Sequence, residues 1–282
     1  MDGENGFRTA YDTVLRRWPV PVDSVDVPSP YGTTRVQIAG PEDGPPLVLL
    51  PGGGTTSVVW FATVGALAAT HRVHAPDLMG DIGRSRHDGA PLRGVRDLTA
   101  WLDALFDELA LDGADLCGHS YGAWIALNYA VHAPRRLRRL ALLDPTQCFA
   151  GMNPAYLLRA LPMLLRPTAE RVQAFHAWET GGVPEEPAWR AFLGATATAT
   201  AHRSKVVAMR RPRARDVRTC TVPTLVVAAG RSRAHTARRV AAEAGRLLPD
   251  ARVVVLPEAS HHSLPTERPA ELNRLLTEFL AG

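Results

Sequence analysis

Ser120 lies in the run Gly118-His119-Ser120-Tyr121-Gly122, a G-x-S-x-G pentapeptide. A serine hydroxyl is a weak nucleophile at neutral pH. Chemistry there needs a base to take its proton and hydrogen-bond donors for the charge its attack creates. The glycine spacing suits such a serine, because a sharp turn forces it into unfavourable backbone angles and a side chain at Gly118 or Gly122 would strike the neighbouring strand and helix. The bland reading of the same residues is a glycine-flanked serine at a helix N-cap. Context favours the nucleophile: ADLCG (114–118) reads as a buried strand and YGAWIALNYAVHA (121–133) as an apolar helix. A strand-turn-helix of this kind pushes a hydroxyl out at the top of a sheet.

The elements that must position Ser120 follow from hydrophobic periodicity. Short apolar runs at 33–39, 46–50, 72–76, 114–118, 137–144, 224–230 and 251–257 predict strands, and helical patterns fall near 57–69, 94–110, 121–133, 235–248 and 268–280. In 94–110 the period is clear, since Val95, Leu98, Leu102, Leu105, Phe106 and Leu109 share one face. Alternating strands and helices predict an α/β fold with a mostly parallel sheet flanked by helices. The segment 149–218 breaks the alternation with Leu, Met, Trp and Phe at helical spacing, and it reads as a helical insertion. The expected domains are therefore a core of 1–148 and 219–282 and a helical cap over 149–218. Within it, ATATATAH (195–202) reads as a loop or the start of a cap helix.

Composition narrows the function classes. The 282 residues are 46% apolar and 21% charged, which predicts a soluble globular protein. No secretory h-region opens the chain and no run approaches the ~18 apolar residues of a membrane span. A cytoplasmic protein that does not bind membranes is expected. Three widely spaced cysteines without CxxC predict buried, reduced thiols, and His261-His262 lacks a third ligand at metal-site spacing, so no metal or cofactor is expected. Lys205 is the one lysine beside 31 arginines, and the basic run His202–Arg218 has no interleaved aromatics. It predicts a solvated face rather than a nucleic-acid site.

On the elbow around Ser120 the chain resembles the α/β-hydrolase family over nearly its whole length. The likeness extends to LVLLPGGGTTSVVW (47–60), which is similar to the family's oxyanion loop but carries Pro51 where the family usually has histidine. It implies an oxyanion hole formed by the N–H groups of Gly53 and Tyr121, with Gly54 close by. HAPDLMGDIGRS (74–85) resembles the family's D-x-x-G-x-G-x-S turn, where Asp77, Gly80, Gly83 and Ser85 read as structural. VVVLPEASHHSLPTERP (253–269) is similar to the strand and turn that carry the family's histidine. Counting back from Glu267 and Pro269 selects His262, and counting forward from VLP selects His261. Spacing to the final helix is the stiffer guide, so His262 is the expected base.

The family usually places its acid after the penultimate strand, yet here that position reads AAGRSRAH, with no carboxylate. An alternative lies one strand earlier. There LALLDPTQCF carries Asp144, similar to the turn of pancreatic-type lipases, although a capping aspartate before Pro145 is the competing reading. The resemblance thus implies a triad of Ser120, Asp144 and His262 in a serine hydrolase. Its substrate would be a small molecule: a medium-sized apolar ester, thioester or lactone. Leu157, Leu158, Leu161, Met163, Leu164, Phe175 and Trp178 would line a pocket or pack the cap onto the body, with Arg159, Arg166 and Arg171 nearby for an acidic group. Two other classes stay open: a repurposed lyase, cyclase or acyltransferase of a natural-product pathway, and a binding protein that has lost catalysis.

Overall fold

The computed structural model describes residues 2–183, 186–199, 206–266 and 269–282. Helix α1 (Asp2–Leu15) leads into β1 (Val22–Ser29), β2 (Gly32–Ala39) and β3 (Pro46–Leu50). A 3-10 segment (Ser57–Ala62) and the single turn α2 (Val64–Leu67) precede β4 (Arg72–Pro76). Then come α3 (Val95–Glu108), β5 (Ala114–His119), α4 (Tyr121–His132) and β6 (Leu137–Leu143). Between β6 and the next strand lie α5 (Pro154–Leu165), α6 (Ala169–Glu179), α7 (Pro187–Ala199) and the short α8 (Ala214–Val217). The chain closes with β7 (Thr224–Ala229), α9 (Ala237–Leu247), β8 (Ala251–Leu256) and α10 (Pro269–Ala281).

The eight strands form one sheet in the order β1-β2-β4-β3-β5-β6-β7-β8. β2 runs antiparallel to β1 and β4, and every other pairing is parallel. The central strands are apolar on both faces because helices cover both. Val48 and Leu50 enter one core cluster with Leu116, Leu140, Leu142 and Val226. Leu47 and Leu49 point the other way, into a second cluster with Cys117, Ala141, Leu143 and Val227. In α3, Leu98, Leu102, Leu105 and Phe106 are buried, while Val95 and Leu109 pack at the edge of the first cluster. Helix α4 is buried nearly all round, as its uniformly apolar sequence requires.

Two elements escape a periodicity reading. In β1, VDSVDVPS mixes two aspartates and Pro28 with its valines, and only Val27 is buried, which suits an edge strand. In α1 two glycines obscure a narrow stripe of Phe7, Tyr11 and Val14, all buried; Phe7 meets Phe192 of α7 with ring centroids 5.9 Å apart. The helix expected at 57–69 divides into the 3-10 segment and α2. The ATATATAH stretch ends α7 as far as Ala199, and residues 200–202 of it lie outside the described residues, as do 202–205 of the basic run and Glu267. The three cysteines are buried and unpaired. No helix among the described residues is long and apolar enough to cross a membrane.

Candidate active site

The site is built where β5 ends. Ser120 has φ 52° and ψ −111°, a conformation that costs a non-glycine residue energy and that the surroundings must enforce. Its N–H donates to Leu143 O at 2.9 Å and its carbonyl accepts from Trp124 N at 3.1 Å, which ties the turn to β6 and to α4. A Cβ on Gly118 would lie 2.4 Å from Gly122 O, and one on Gly122 would lie 2.4 Å from both Leu50 O and Pro51 O. The glycines therefore let strand, turn and the start of the glycine-rich loop after β3 touch through bare backbone. Ser120 itself is half-buried.

His261 Nε2 lies 2.8 Å from Ser120 Oγ, and His261 Nδ1 lies 2.5 Å from Asp144 Oδ2. The expected base, His262, makes neither contact: its Nε2 sits 3.2 Å from Tyr156 Oη, and its ring lies 4.3 Å from that of His176. His261 thus replaces His262 beside Ser120. The physical reason is the path of the loop after β8. The Glu179 carboxylate accepts hydrogen bonds from the backbone N–H of both histidines at 3.0 Å, and the two rings leave that anchored backbone in different directions. Spacing to α10 could not register this, because the anchor that directs the two rings is Glu179 of α6, outside this stretch of sequence.

Asp144 caps β6 at φ 40°, which aspartate tolerates better than most residues, and is fully buried. Oδ1 accepts from Ala229 N at 2.8 Å and His235 Nε2 at 3.0 Å, and Oδ2 accepts from Ser232 Oγ at 2.8 Å and His261 Nδ1. Burial alone would push this carboxyl up, but hydrogen bonds and charge from His235 and His261 outweigh it and hold it well below the ordinary range. An ionised Asp144 only accepts, so His261 carries its proton on Nδ1 and offers a lone pair at Nε2 to Ser120. Burial pulls His261 down, yet the bond and charge of Asp144, aided by Glu179, raise it above its ordinary value of 6.5.

Three more histidines crowd the site. Burial lowers His119 to about 3 and His262 to about 4, and it also pushes His176 well down. A neutral His119 donates from Nε2 to His261 O at 2.8 Å, which fixes its tautomer. His235 and Ser232 occupy the stretch after β7 where the carboxylate was absent, and they serve Asp144 instead. Sequence reasoning registered that absence but not these two replacements. Glu179 and Tyr156, from the insertion, left no signal at all.

Gly53 packs on Tyr121, since an added Cβ would meet Tyr121 Cβ at 3.3 Å, and one added to Gly52 would lie 2.9 Å from His119 Nδ1 and 3.4 Å from Ser120 Cβ. The loop and the start of α4 therefore converge beside the serine. The N–H of Gly54 is instead donated to Asp81 Oδ2 at 2.9 Å. Burial raises the Asp81 carboxyl to about 6 against the pull of the Gly54 and Ile82 N–H groups. Asp77 is a structural hub: it accepts from Ser57 N at 2.8 Å, Ser57 Oγ at 2.6 Å, Arg84 N at 2.8 Å and Tyr11 Oη at 3.2 Å.

The insertion packs only in part as expected. Tyr156 and Ala160 turn inward onto Phe175, with Met163 and Trp178 packed beside them, but Leu157, Leu158, Leu161 and Leu164 are exposed. A helix with apolar residues on every side cannot reveal by sequence which side faces the body.

A profile of the alpha/beta hydrolase family matches residues 47–275, which spans the glycine-rich loop after β3, the turn at Ser120 and the first half of α10. The chain belongs to this family. Among its relatives, carboxylesterase YbfK of Bacillus subtilis (strain 168) is 31% identical over 180 residues, 63% of this chain and 60% of that protein. An uncharacterised carboxylesterase, nap, of the same organism is 30% identical over 178 residues, 62% of this chain and 58% of that protein. The chain thus spans about three fifths of the length of these curated relatives. The crystal structure of carboxylesterase CesB (YbfK) from Bacillus subtilis superposes with a TM-score of 0.91, at 24% identity and 99% coverage of both chains. That likeness extends the hydrolase fold to the whole chain, including α1, β1 and the inserted helices.

Proposed function

We propose that this hydrolase is a serine carboxylesterase working through Ser120, His261 and Asp144. The observation that carries the reading is the unbroken path from Ser120 Oγ through His261 to Asp144, at 2.8 and 2.5 Å. The carboxylesterase relatives support the same class of reaction.

In this reading His261 Nε2 takes the Ser120 proton as Oγ attacks the ester carbonyl carbon. The N–H groups of Gly53 and Tyr121 hold the negative oxygen of the tetrahedral intermediate, and Asp144 stabilises the imidazolium. His261 returns the proton to the departing alcohol, leaving an acyl group on Ser120. Water then attacks that carbonyl, gives its proton to His261, and the acid leaves as Ser120 regains its hydrogen. The substrate class is a medium-sized apolar ester, thioester or lactone, and the helices between β6 and β7 act as the cap over 149–218. Tyr156 brings that cap against the base, with its ring 6.4 Å from that of His261.

The test is hydrolysis of p-nitrophenyl esters from acetate to decanoate, with wild type beside Ser120→Ala, together with fluorophosphonate labelling. A chain-length optimum and labelling that both vanish in Ser120→Ala are expected. Folded wild type that cleaves no ester and takes no label overturns the proposal.

A further inference from the structure

Glu179 ends α6, in the inserted helices, and lies with 1% exposure beneath the loop that carries the two histidines. Oε1 accepts the N–H of His261, and Oε2 accepts the N–H of His262 and the hydroxyl of Ser260, each at 3.0 Å. Three donors converge on two oxygens that need supply no proton, the pattern of an ionised carboxylate. Two consecutive peptide N–H groups aimed at one anion fix the backbone between them. That backbone sends the His261 ring to Ser120 and Asp144 and the His262 ring to Tyr156.

The ionisable groups facing His261 come from every element around it. They are Asp144 after β6, Glu179 from α6, His119 from β5, His235 after β7, Tyr156 from α5, and His262 with His176 behind it. Asp144 and Glu179 are the carboxylates among them. Asp144 touches the ring; Glu179 touches only the backbone and acts from behind.

We propose that Glu179 is a positioning residue for His261: the inserted helices reach under the loop of the base, set its direction through three hydrogen bonds and supply a second negative charge to the imidazolium. The inserted segment is then part of the machinery as well as a cover. This inference rests on the esterase reading, so its test uses a single step at Ser120, phosphonylation, which depends on the base but requires no ester substrate and no deacylation.

The experiment is the rate of Ser120 inactivation by a fluorophosphonate as a function of pH, in wild type, Glu179→Gln and Glu179→Asp. Wild type that does not react overturns the esterase reading itself, and this inference with it. Given a reactive wild type, Glu179→Gln is expected to lower the plateau rate by up to about a hundredfold, the scale on which a small misplacement of a reacting group acts. Its acidic limb should also move down by about half to one pH unit, because removing a nearby negative charge makes the imidazolium a stronger acid. Glu179→Asp keeps the charge but withdraws it by one methylene, so its plateau should fall while its limb stays near that of wild type. An unmoved limb in Glu179→Gln, even with a lower melting temperature, overturns the proposal. Should Glu179→Gln fail to fold, Glu179→Asp decides: an unchanged plateau overturns it.

Discussion

Replacing Asp144 by asparagine keeps the shape of the side chain and removes its charge. Two of the four donors around it, Ala229 N and His235 Nε2, face Oδ1, and the other two, Ser232 Oγ and His261 Nδ1, face Oδ2. The backbone N–H of Ala229 cannot turn away, so the amide oxygen stays with it and the amide NH2 points at Ser232 and His261. Ser232 can rotate its hydroxyl to accept. His261 can accept only by moving its proton to Nε2, which leaves no lone pair for Ser120. The lost ion pair has its charge centres about 4 Å apart, worth about 4 kcal/mol at an effective dielectric of about 20, or about a thousandfold in rate. Tautomer reversal adds to this, so kcat/KM for a p-nitrophenyl ester should fall about 10³–10⁴-fold. Stability should respond as well. The folded-state pKa of Asp144 is depressed, so its contribution is present above the ordinary carboxylate pKa and fades as pH falls below about 4 toward the folded value. The variant should melt lower than wild type at pH 7, and the gap should narrow in acid. Activity within tenfold of wild type, from protein with native circular dichroism, refutes the assignment of Asp144.

The adjacent histidines should separate sharply. His261→Gln is expected to lose at least about a thousandfold in kcat/KM and His262→Gln less than about tenfold, because only His261 reaches Ser120; the reverse order in the same assay returns the base to His262. The acidic limb of kcat/KM should lie above pH 6.5, since Asp144 and Glu179 stabilise the imidazolium and the neutral base appears only as pH rises past its raised pKa. A limb below 6.5 contradicts this. Gly122→Ala should cost about 3 kcal/mol or more of stability, or abolish soluble expression, because its Cβ would press 2.4 Å from two backbone oxygens; thermal melting close to wild type would show that the elbow can relax.

The legible parts of the molecule are those whose cause is local. Seven strands announced themselves as short apolar runs, and in the central β3, β5, β6 and β7 that composition follows from helices covering both faces. The elbow was legible as a buried strand, a glycine-flanked serine and an apolar helix in direct succession, although Gly122 itself makes room for Leu50 O and Pro51 O, far back along the chain. The family resemblance could suggest Asp144, but four donors, three from the end of β7 and the stretch after it and one from the loop after β8, were needed to show a carboxylate saturated and turned toward His261. α1 was hidden by its glycines and β1 by its polar edge.

By itself the sequence determined the fold class and the strand-turn-helix around Ser120, which follow from hydrophobic period and backbone sterics, while the family resemblance implied an acid outside its usual place. Only tertiary structure decided between His261 and His262. Neighbours in sequence present the same chemistry, and the choice belongs to the Glu179 carboxylate, 82 residues from His261, which anchors both of their peptide N–H groups. It also decided that Leu158 and Leu164 face water, because a helix apolar on every side takes its inner face from what it meets.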